Sequence, residues 1–159
     1  MGVVERRSRA LVPASLSALL ALIAQYLLGM AVNLFVKIPD NHPGAHPPEY
    51  FGGVVRSVTW AVLQGPVLLQ LHAAFGLILV IGSVYLLVQG VATRQAGLIT
   101  AMVIGLIGTL GAGFNGGSYL NYHEDFSSML MATGFAVAAI AYLFALYLSL
   151  AHRRLGEAG

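Results

Sequence analysis

Leu68-Leu69-Gln70-Leu71-His72-Ala73-Ala74-Phe75-Gly76-Leu77-Ile78-Leu79-Val80 is an apolar run broken by one ionisable side chain. Continued to Val88, it is long enough to cross roughly 30 Å of hydrocarbon at about 1.5 Å per residue. An ionisable group at that position is costly unless a partner compensates it, so His72 marks the place to look for one.

Three further runs have the same character, at Leu11–Phe35, Gly97–Phe114 and Ser127–Leu150. Composition agrees: 58% of residues are hydrophobic and 9% are charged, where a soluble domain is nearer a quarter charged. The chain is therefore expected to be an all-α, integral-membrane four-helix bundle forming one domain over residues 1–159, with the lipid bilayer as its first partner. The absence of cysteine excludes disulfides, thiolate metal sites and iron–sulfur clusters. A pI near 9.2 suggests nucleic acid, but the net charge is only +2 and the arginines gather at the ends of apolar runs. That pattern marks membrane orientation, and no nucleic-acid partner is expected.

Arg6, Arg7, Arg9, Arg94, Arg153 and Arg154 fall on one side of the spans, and Lys37 and Arg56 on the other. The positive-inside rule then puts both termini in the cytoplasm, in a multi-pass arrangement. The first run follows Glu5-Arg6-Arg7-Ser8-Arg9, which looks like a signal-peptide n-region. Its apolar part exceeds a typical h-region and Gly29-Met30-Ala31 is a weak cleavage site, so it reads as a retained helix. Residues 36–67 and 115–126 then form the outward loops. The first of these is too proline-rich for a helix from Ile38 to Pro48. It then carries Phe51, Val54, Val55, Val58 and Val62 at helical spacing, which predicts a short helix lying on the outer surface.

Lipid gives no hydrophobic drive between helices, so close packing calls for small residues. The first span has Ala14, Ala18, Ala21, Gln25, Gly29 and Asn33 on one face, and Gln25 is placed to make an interhelical hydrogen bond. The third has Ala101, Gly105, Gly108, Ala112 and Asn115, and the fourth Ser127, Met131, Gly134, Ala138, Ala141 and Ala145. A faint repeat relates Leu71-His72-Ala73-Ala74-Phe75-Gly76 to Leu130-Met131-Ala132-Thr133-Gly134-Phe135. A parallel two-plus-two duplication would give His72 and Met131 equivalent depths.

Polar residues gather in the outward half, and Asn115 and His123 are the expected companions of His72. Three readings stay open. In the first, His72 ligates a b-type haem, Gly76 one turn on admits the flat macrocycle, and His123, Met131 or Met30 is the second ligand. In the second, His123, Glu124 and Asp125, or His42 and His46 with Asp40, hold a divalent metal, zinc or copper. For His42 and His46 a solvated loop is the favoured reading. In the third, His72 hydrogen-bonds Asn115, Tyr119 or Asn33 and locks the bundle, and the chain is a structural or accessory subunit of a membrane complex. No nucleophile elbow, phosphate loop or intramembrane carboxylate pair is present, so the chain leans away from enzyme chemistry.

The histidine and glycine of His72-Ala73-Ala74-Phe75-Gly76 resemble helices of small transmembrane b-type cytochromes and haem A synthases, over about one helix. Over its whole length the chain is similar to small four-helix membrane proteins of bacteria. The similarity is carried by Asn33-Leu34-Phe35-Val36, Pro39, His42-Pro43-Gly44, Gly113-Phe114-Asn115-Gly116 and Asp125-Phe126-Ser127-Ser128. It implies the architecture and a bacterial cytoplasmic (inner) membrane. It implies no reaction. Other membrane subunits or a homo-oligomer are the expected protein partners, independently of that resemblance.

Overall fold

A computed structural model describes the backbone of residues 3–157 and the side chains of residues 10–152. The described residues form five helices: α1 Val3–Phe35, α2 Tyr50–Leu63, α3 Val67–Ala92, α4 Ala96–Tyr122 and α5 Asp125–Glu157. Four contain stretches long and apolar enough to span a membrane: Ala10–Phe35, Val67–Ala92, Ala96–Tyr122 and Asp125–His152. This is an all-α, multi-pass membrane bundle. Large apolar side chains such as Leu20, Ile78, Ile81, Ile107 and Ile140 are exposed on its outside, as a lipid-facing surface requires.

The long helices form a ring in the order α1, α3, α4, α5, each packed on the next and α5 closing on α1, while α2 packs on α3 and α4. One half of the interior is apolar, built from Leu11, Leu86, Leu98, Met102 and Tyr142 with small Ala138 and Ala145. The α3–α4 turn is tight. Arg94 takes a left-handed φ of 58°, and buried Thr93 donates its hydroxyl to Gly90 O at 2.7 Å.

The third span does not stop at Phe114. Asn115–Tyr122 is polar enough to read as a loop, yet α4 continues through it with Gly117, Ser118, Leu120 and Asn121 buried: α2 covers Gly117, Leu120 and Asn121, and Ser127 of α5 bonds Ser118. A short helix is present in this loop as α2, but it does not lie on an outer surface: it packs along α4 and against α3, with Gly53, Val54, Ser57 and Ala61 buried. It begins where the Glu49 carboxylate accepts hydrogen bonds from Phe51 N and Gly52 N, which caps otherwise unpaired amides. It runs beside α4 in the same sense. Phe51 meets Phe114 with ring centroids 6.3 Å apart, Val54 covers Gly117, and Ser57 bonds Asn121. Gly44 lies beside Ser57, so the chain descends about 10 Å along α4 between Gly44 and Phe51.

The helix pairs α1·α3 and α4·α5 use the same packing device. The position of a Cβ at Gly29 lies 3.0 Å from His72 Cε1, and that at Gly76 lies 3.2 Å from Gln25 Nε2. On the other pair, Gly116 faces Met131 Sδ at 3.3 Å and Gly134 faces Ala112 N at 2.7 Å. His72 and Met131, matched in the sequence repeat, thus each lie against a glycine of the preceding span. The pairs differ in their connections. Only His123 and Glu124 separate α4 from α5, whereas residues 36–66 intervene between α1 and α3 and build a cap over one end of the bundle.

Candidate functional site

His72 lies five residues into α3, about 7–8 Å along it. Its ring rests on Gly29 of α1. Gln25, one turn before Gly29, donates from Nε2 to His72 O at 3.0 Å and comes within 3.5 Å of His72 Nε2. The arrangement is reciprocal: Gln25-x-x-x-Gly29 on α1 opposes His72-x-x-x-Gly76 on α3, and each glycine makes room for the other helix's polar side chain. The partner of His72 is therefore Gln25, neither Asn115 nor His123. Asn115 donates to Gly111 O of its own helix at 2.8 Å, and Asn33 is exposed. The face of Gly76 expected to admit a macrocycle is occupied by the Gln25 amide. Met131 lies against Gly116 of α4.

A second polar centre holds the cap to the bundle. Asn121 is fully buried, and its amide orientation is assigned from its surroundings. Its nitrogen donates to Gly44 O at 3.1 Å, with Gly53 O and Gly117 O at 3.3 Å, and its oxygen accepts from Val54 N at 3.2 Å. The Ser57 hydroxyl bonds the same amide, and His46 N donates to Asn121 O at 2.9 Å. One side chain thus gathers the loop, α2 and α4. Gly44 has φ 97° and lies so close to Ser57 that a Cβ would sit 2.7 Å from Ser57 N, so glycine is required there.

His42 is buried as well, at 5% exposure, which corrects the solvated-loop reading. It stacks on Trp60 with centroids 4.4 Å apart and bonds Leu120 O across the cap. His46 is exposed, as that reading expected. His123 caps α4 with a left-handed φ of 53°, a conformation in which histidine is over-represented. Its Nδ1 lies 3.7 Å from Asp40 Oδ1. Glu124 and Asp125 are exposed, and Asp125 sits in the first turn of α5, where negative charge suits the helix dipole. Among the described residues, no three histidine or acidic side chains converge to hold a metal ion. The sets His123–Glu124–Asp125 and Asp40–His42–His46 are therefore not assembled as ligand spheres.

Comparison with protein-family models, curated proteins and solved structures gives no match to this chain.

The chemistry open to the site follows from its unpaired atoms. His72 Nδ1, Gln25 Oε1 and His123 Nε2 are buried without a hydrogen-bond partner among the described residues. A groove of about 390 Å³ between α4 and α5 is lined by Gly97, Thr100, Ile104, Val137, Ile140 and Phe144. It lies toward the opposite end of α4 from the cap, and its lining suits an acyl chain better than a polar substrate. The roles of Asn121 and His42 are not legible in the local sequence: Asn121 is one polar residue among many near the end of its span, and His42 reads as a solvated loop residue or a metal ligand. Their partners are 64 and 78 residues away in the chain, beyond the reach of a local pattern. The signal that was available is the lone tryptophan, Trp60, in the same loop-and-helix segment as His42-Pro43-Gly44.

Proposed function

We propose that this small multi-pass protein is a structural or accessory subunit of a membrane complex, seated in a bacterial cytoplasmic membrane with both termini in the cytoplasm. The reading rests most on the reciprocal contact of Gln25-Gly29 with His72-Gly76. The polar side chains that would mark a site are used to join two spans, and each lies in the space the opposing glycine leaves. Intramembrane hydrogen bonds of this kind average about 0.6 kcal/mol and reach roughly 2 kcal/mol, enough to fix helix register. The orientation is supported by the arginine distribution, and the bacterial setting by the resemblance of the loop and helix-end segments. The alternative is a single-haem b-type or metal-binding electron-transfer protein. Its support is His72 Nδ1, which has no hydrogen-bond partner among the described residues.

The subunit reading predicts that His72→Gln keeps the fold, since glutamine still offers a donor and an acceptor. Unfolding in detergent should shift by no more than about 1 kcal/mol. Association with partner subunits, followed by native electrophoresis of mildly solubilised membranes, should be unchanged. Migration as the monomer from native membranes would contradict the subunit role, and a ladder of multiples of 16.7 kDa would replace it with a homo-oligomer.

A further inference from the structure

Both ring nitrogens of buried His42 face oxygen atoms that only accept hydrogen bonds. Nδ1 is 3.0 Å from Pro43 O and Nε2 is 2.9 Å from Leu120 O. A neutral imidazole has one N–H, so it would bond one carbonyl and turn a lone pair toward the other. Only the imidazolium donates from both nitrogens. The ring also stacks on Trp60 at an interplanar angle of 15°, and an indole face attracts a cation. We propose that the cap is a proton-binding site: its closed form holds His42 as the imidazolium, clamped between Pro43 O and Leu120 O and stacked on Trp60, and the cap opens as that proton leaves.

The groups facing His42 come from three elements. From the end of α4, His123 meets it edge-on at 6.4 Å, with Tyr119 5.9 Å from His123. From the loop, Asp40 places its carboxylate 3.7 Å from His123 Nδ1, giving that imidazole its own anionic partner. α2 presents the Trp60 ring, while its charged residue Arg56 is exposed. Among the described residues no carboxylate pairs with His42, so its proton is held by carbonyl oxygens and the indole. The sign follows. A proton bound preferentially by the closed cap stabilises it at low pH, and that stability is lost as pH rises. One linked proton makes opening increase by at most about tenfold per pH unit.

The direct test is nitrogen NMR of the full chain labelled at histidine, in bilayers. The His42 signals are assigned by their loss in His42→Gln or, if that variant does not fold, by through-space contact with Trp60. The expected result is two protonated ring nitrogens while the cap is closed; one bare nitrogen in the closed cap would overturn the proposal. Backbone amide exchange of residues 41–49, corrected for intrinsic exchange, gives the linked conformational readout. Protection should fall with rising pH in the native chain and in His123→Asn, and should lose this dependence in His42→Gln. Retention of the dependence in His42→Gln, or its loss in His123→Asn, would place the proton elsewhere and overturn the assignment.

Discussion

Replacing Asn121 with leucine is expected to release residues 41–49 from α2 and α4 while the four spans stay packed. The side chains have the same number of heavy atoms and the same branching, but leucine offers neither donor nor acceptor. The Ser57 hydroxyl and Gly44 O then lose the amide that pairs them. A buried polar group left unpaired costs about 1–3 kcal/mol, and two or more are stranded here, so a loss of about 3 kcal/mol in cap stability follows. The cap holds by this centre, by the His42 contacts with Leu120 O and Trp60 and by a small cluster of Ala61, Leu69 and Leu120, so it should open before the bundle does. Amide exchange of residues 41–57 and the emission of Trp60, the single tryptophan, report the cap; helical circular dichroism reports the bundle. Unchanged protection of residues 41–57 in Asn121→Leu would show that the amide does not hold the cap.

The second large effect is expected at the α4·α5 crossing. A Cβ at Gly108 would lie 2.7 Å from Ala138 N and from Gly134 O, and one at Gly134 would lie 2.7 Å from Ala112 N and Gly108 O. These neighbours are backbone atoms and cannot turn aside, so the helices must separate. Overpacking of this kind costs about 1–3 kcal/mol and sometimes more. A branched residue sits at the upper end, so Gly108→Val should destabilise by about 3 kcal/mol in a detergent unfolding titration. Gly111, one turn away, has open space where its Cβ would be, and Gly111→Ala should be neutral within about 0.5 kcal/mol. Equal effects at the two positions would mean that close backbone approach is not what joins α4 to α5.

The spans could be read from the sequence because each is a continuous apolar run, and the environment that selects such runs acts on every residue alike. The α2 helix could be read because Phe51, Val54 and Val58 recur at a helical period. The small-residue faces of the spans named Gly29, Gly108 and Gly134 correctly but did not say what each faces. Gly29 faces a histidine ring, and Gly108 and Gly134 face each other's backbones. Gln25 was legible as an interhelical donor, while its acceptor, the His72 carbonyl, was not, since any backbone carbonyl on three neighbouring spans was equally eligible. The cap was the least legible part. Its prolines correctly forbid a helix, but a loop without helix is not thereby solvated. His42 is buried because α4 offers a carbonyl and α2 an indole, both supplied by tertiary packing.

The role of His72 depends on whether the space around it is filled by the protein itself. The measurement that tests this most directly is the absorption spectrum of the chain purified from its native membrane in mild detergent, read together with its metal content. The predicted result is the tyrosine and tryptophan band alone, with no Soret band and no stoichiometric metal, in both the native chain and His72→Gln. A Soret band or a bound metal that disappears in a folded His72→Gln would contradict it. That result would mean Gln25 yields its place beside Gly76 to a cofactor.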